Sequence, residues 1–198
     1  MSNGGLAKAT AKTAADVVGA GLPRPYFPLG DEAKKLLRDG MAPRAFLDVL
    51  IEKQQFPDAV RFLAHALPKR EAVWWACLCA RQAYGASPPA PMGPALTAAE
   101  KWVSDPSEPN RRAAHTAAEA AGMGAPAGCA AMAAFFSGGS LAPPNAPAVP
   151  PGEHLTAHAA AGAVMLAAVM TEPQKAPEKY RKFFALGIDV GNGVNKWK

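Results

Sequence analysis

An all-α fold follows from three features of this sequence. Apolar residues recur at helical spacing in segment after segment. Prolines and glycines, 20 and 18 of them in 198 residues, punctuate the chain into a series of short elements. No run of alternating β-branched residues bounded by turn residues marks a hairpin. The expected architecture is an array of about seven to nine short helices in antiparallel pairs, solenoid-like or an irregular bundle.

The chain opens with MSNGGLAKATAK and continues small and polar to residue 25. This segment, 1–25, is expected to be a flexible tail, and 26–198 a single helical domain. The start has no apolar core segment of the kind a secretory signal carries. PRPYFPLG, 23–30, holds three prolines and is expected to be extended. Asp31 is expected to cap the next helix, DEAKKLLRDG, which Gly40 stops. Pro43 opens PRAFLDVLIEKQ, with Phe46, Leu47, Leu50 and Ile51 on one face. Pro57 opens another helix, with Val60, Leu63, Ala64 and Leu67 at helical spacing. Pro68 opens a fourth, running to Gly85 and containing REAVWWACLCAR, 70–81. Short links between these helices imply antiparallel neighbours.

SPPAPMGP, 87–94, is expected to be a loop. Thr97 is expected to cap TAAEKWVSD, with Glu100 completing a capping box. Ser107 starts a helix that Gly122 ends, and Pro126 starts one stopped by Gly138-Gly139. SLAPPNAPAVPPG, 140–152, is the longest irregular stretch, either a rigid spacer or a loop laid across the surface. An alanine-rich segment, 153–171, follows; its HLTAHAAAGAVMLAAVM is short of a membrane span and carries two histidines, so a buried helix is expected. In APEKYRKFFALGIDVGNG, Tyr180, Phe183, Phe184 and Ile188 fit a helix, while Leu186, Ile188 and Val190 alternate as in a strand. The helix is preferred, ending at Gly-Asn-Gly.

Composition excludes several functions. Net charge is +5, below the density of a dedicated nucleic-acid binder, and no aromatics interleave the basic clusters Lys101/Arg111/Arg112 and Arg24/Lys34/Lys35/Arg38. Nucleic acid is therefore not an expected partner, though weak binding through the basic segments is an alternative. From Ala113 to Gln174 there is no Lys or Arg at all. Cys77, Cys79 and Cys129 make no disulfide framework, and the chain is expected to be cytoplasmic without membrane insertion.

Candidate chemistry is sparse. Asp189-Val190-Gly191-Asn192-Gly193 followed by Lys196 resembles the first phosphate loop of actin-like ATPases. That loop needs a sheet around it and a second phosphate loop after it, and only two residues follow Lys196. His154 and His158 are four apart and share a helix face, which is the geometry for a metal pair. They lack the glutamate of a metalloprotease motif, and His115 is the third imidazole to consider. A metal-dependent enzyme using His154 and His158 is thus the alternative to a non-catalytic protein. No G-x-S-x-G is present, no catalytic residue is assigned, and no cofactor is expected.

The tryptophan helix 70–81, the Glu100-Lys101-Trp102 segment and the closing FFALGIDVGNGVNKW resemble an uncharacterised bacterial domain family of unknown function, over about 30–197. Its genes tend to occur in clusters for type VI secretion, a contractile cytoplasmic apparatus. The resemblance implies a bacterial accessory or adaptor and carries over no catalytic residue. A protein partner is expected, self-association being one form of it. Trp74, Trp75, Trp102, Arg111, Arg112 and Trp197 are the candidate contact residues.

Overall fold

The computed structural model describes residues 29–194 and 197. The expected tail, 1–25, and Lys196 and Lys198 lie outside the described residues. Among the described residues there are nine α-helices and no strand: α1 (Asp31–Leu36), α2 (Pro43–Glu52), α3 (Phe56–Ala66), α4 (Lys69–Tyr84), α5 (Met92–Ser104), α6 (Glu108–Ala121), α7 (Pro126–Phe135), α8 (Leu155–Val169) and α9 (Ala176–Gly191), with a 3-10 turn at Pro173–Lys175.

The punctuation acts locally, as expected. Pro43 and Pro126 occupy the first positions of α2 and α7, where a missing N–H costs nothing. Gly85 and Gly122 end α4 and α6 at φ 76°, a left-handed conformation that side chains resist. Ser107 stands before α6, and 176–191 is helical rather than extended.

Three boundaries differ. Gly30, not Asp31, is the residue before α1, because the Asp58 carboxylate already accepts the Gly30 N–H at 3.1 Å and anchors the chain there. α1 ends at Leu36, ahead of Gly40. α5 starts at Met92, so the end of the expected loop 87–94 is helical and Thr97 is an interior residue rather than a cap. The N–H groups of Met92 and Gly93 both reach the Pro89 carbonyl, which starts the helix nearly two turns early.

The helices form a bundle, not a solenoid. In a solenoid each unit touches only its neighbours in sequence. Here α8 lies between α3 and α4 from early in the chain and α7 and α9 from later. α9 likewise returns to α4. α8 is apolar all round, and its alanines 160, 161, 163, 167 and 168 are all buried. Small side chains let four helices approach it closely, and burial on several sides removes any need for an amphipathic stripe. Larger side chains complete the interior: Trp75, Phe46, Phe183 and Leu63 are buried. The Trp75 indole donates to the Phe183 carbonyl at 2.7 Å, tying α4 to α9.

Residues 140–152 carry no helix, as expected. The stretch closes on itself: the Leu141 N–H reaches the Val149 carbonyl at 2.8 Å, and the Ser140 hydroxyl accepts the N–H groups of Ala142 and Val149. It is therefore a folded-back loop and not an extended spacer. Among the described residues no single helix is long and apolar enough to cross a membrane.

Candidate functional site

The extended link through Leu67 and Pro68 turns the chain so that α4 starts beside the end of α3. Packing of α8 on both brings its own start to the same place. The three ends enclose a cavity of about 230 Å³ lined by His65, Lys69, Glu153, His154 and Thr156 over an apolar floor that includes Leu67 and Ala72. The Lys69 ammonium donates to the Ser137 carbonyl at 3.1 Å and lies 4.0 Å from the Glu153 carboxylate.

His154 and His158 do share a face, with ring centroids 4.9 Å apart. The third imidazole is His65, whose ring stands edge-on to His158 at 5.1 Å. His115 is elsewhere, stacked on Phe135 at 4.0 Å and 3.7 Å from Glu119. The expectation for His115 fails because α6 and α8 are not neighbours, whereas α3 packs directly on α8. Sequence reasoning could not find His65, since nothing local marks which helix α8 will meet. Among the described residues, no group of three or more His, Cys, Asp or Glu side chains is arranged to hold a metal ion.

Burial, then the neighbouring His158 and His154, push the His65 pKa down to about 4. Burial, then His154 and Arg61, lower that of His158. Both imidazoles are thus uncharged at neutral pH. This fixes the sign of a pH effect. The unfolded chain protonates His65 near 6.5 and the folded chain only near 4. Stability is therefore full above about pH 6.5 and falls as pH drops from there toward 4. Between pH 7.5 and pH 5 only part of this shift acts, so the expected loss is about 1–2 kcal/mol. Thermal unfolding at pH 7.5 and at pH 5 measures it, and His65→Gln should flatten the dependence. An equal slope in wild type and variant would refute the assignment.

Burial pushes the thiols of Cys77, Cys79 and Cys129 up, so they stay protonated. Asp189, the residue that suggested a phosphate loop, is exposed in the last turn of α9.

The candidate contact residues divide sharply. Trp75 and Trp102 are interior, and Arg111 is only 3% exposed, so none of the three presents a surface. The basic spot expected from Arg111, Arg112 and Lys101 is likewise not one solvated face. Trp74 and Arg112 are half-buried, and the Arg112 Nε donates to the Glu108 carboxylate at 2.9 Å. Trp197 is half-buried under the Arg70 guanidinium, 4.3 Å from its ring centre. That guanidinium is itself fixed by the Val103 and Ser104 carbonyls.

A second recess escaped sequence reasoning. Tyr84, Met92, Pro126, Leu166, Val169 and Met170 line about 340 Å³ where α4 and α8 end and α5 and α7 begin. Val169 and Met170 are 44% and 39% exposed, and Met123 nearby in sequence to α7 is 47% exposed. The only sequence signal was that the apolar run of 153–171 continues to its last residues.

Residues 46–191 match a family of unknown function, DUF6931. The chain belongs to that family. The DUF6931 match contains the tryptophan helix, the Glu100-Lys101-Trp102 segment and most of the closing stretch, on which the resemblance to an uncharacterised family rested. It also contains both recesses. No curated protein and no solved structure matches the chain.

Proposed function

We propose that this DUF6931 chain is a non-catalytic interaction protein, an accessory or adaptor factor of a bacterial type VI secretion apparatus. The observation that carries the interaction reading is the apolar recess closed by Val169 and Met170. Large apolar groups exposed together beside a concave surface mark contact sites, whereas single exposed ones do not. Methionine suits such a surface because its unbranched chain adapts to different neighbours. The secretion part of the reading rests on the resemblance carried by REAVWWACLCAR and FFALGIDV.

Affinity capture with the full chain, from a bacterium that carries a type VI cluster, tests it. A type VI component should be recovered, and the Val169→Asp/Met170→Glu double variant should lower its recovery about tenfold or more. Recovery of no such component, or recovery that the variant leaves unchanged, overturns the proposal.

A further inference from the structure

We propose that the cavity where α4 and α8 begin binds a small oxyanion, a phosphate or carboxylate group. Two helix starts meet there. α4 has 16 residues and α8 has 15, and neither has a side chain capping its first-turn N–H groups. Such uncapped starts carry partial positive charge and N–H groups that are not bonded within the helix.

Helix starts alone do not make a site, and here an independent feature points the same way. Thr156 lines the cavity and is 1% exposed, yet its hydroxyl has no partner. A buried hydroxyl left unbonded is costly, and an acceptor oxygen in the cavity would satisfy it. Lys69 supplies a full charge on the same wall. Its bond to the Ser137 carbonyl uses one of the ammonium's three donors.

The opposing charge is weak. Glu153 is the acidic side chain on the lining, and it is 85% exposed, 4.0 Å from Lys69. It can turn to water when another anion takes its place. The end of α3 directs carbonyls toward this region, but the imidazole of His65 stands on that side. This site is separate from the apolar recess and does not depend on the interaction reading.

Titration calorimetry of the full chain with inorganic phosphate, and separately with acetate, at constant ionic strength tests the proposal. Saturable one-site binding of at least one of them is expected below about 10 mM. Thr156→Val and Lys69→Gln should each weaken it about tenfold. Thr156→Val removes an unbonded buried hydroxyl while keeping shape, so its unfolding temperature should equal or exceed wild type. Lost binding in that variant therefore cannot come from misfolding. No saturable binding of either anion, or weakening in fewer than both variants, overturns the assignment.

Discussion

Arg111→Met is expected to destabilise the protein by about 3 kcal/mol. The side chain runs beneath the surface of α6 with its guanidinium buried. Its Nη1 donates to the Phe135 carbonyl at 2.6 Å and its Nη2 to the Ser140 carbonyl at 2.9 Å. Both Glu108 carboxylate oxygens accept from it, at 2.6 and 2.7 Å. The guanidinium also lies over the Phe135 ring, 4.6 Å from its centre. One side chain thus joins the start of α6, the end of α7 and the head of the folded-back loop.

Methionine would fill much of the volume but leave the Phe135 and Ser140 carbonyls without this donor. Each buried group left unbonded costs about 1–3 kcal/mol. The loss stays below that of a fully buried ion pair, because Glu108 is 54% exposed and regains water. Arg111→Lys should recover little, since an ammonium cannot reproduce the planar fork. Hydrogen bonding from Arg111 is the largest influence holding the Glu108 carboxyl down to about 2. The contribution of this pair is present above about pH 4.5 and fades as pH falls toward 2. Urea unfolding at pH 7 measures the main effect. A loss below about 1 kcal/mol would show that the guanidinium is replaceable.

Gly128→Ala is expected to cost about 3 kcal/mol or more, or to prevent folding. A Cβ at Gly128 would sit 2.0 Å from the Gly122 carbonyl oxygen and 2.7 Å from its carbon. Both are backbone atoms, so no side chain can turn aside. Gly122 itself holds φ 76° at the end of α6, which bends the chain so that α7 crosses directly above it. Alanine gains only about 1 kcal/mol of helix propensity over glycine, too little to offset a backbone shift. Gly138→Ala is the control: nothing lies within 4 Å of its Cβ position. A Gly128→Ala protein as stable as the Gly138→Ala protein would contradict the packing of α6 on α7.

The legible parts of the fold were those written by single residues acting on their own backbone. Pro43, Pro126, Gly85 and Gly122 mark helix ends because proline and glycine restrict or release φ wherever they stand. The start of α5 differs from the expected one because Thr97-Ala-Ala-Glu100 has the letters of a capping box, while Pro89, eight residues earlier, already offers its carbonyl. Trp74 and Trp75 were legible as a buried helix, but which indole turns inward was not. Trp75 does, to meet the Phe183 carbonyl 108 residues on.

The candidate sites were less legible than the helices. His154 and His158 were visible as a pair because helical spacing puts them on one face. His65 joins them only because α3 lies on α8. In sequence Arg111 belongs to a basic cluster with Arg112 and Lys101, and its burial follows from α7 and the 140–152 loop closing over it. By itself, the sequence determined that the chain is helical and where most helices stop, since those effects are local. Tertiary structure decided that the helices close into a bundle around α8. An alanine-rich helix has no apolar stripe to name its neighbours, so its position is settled by which surfaces can approach it most closely.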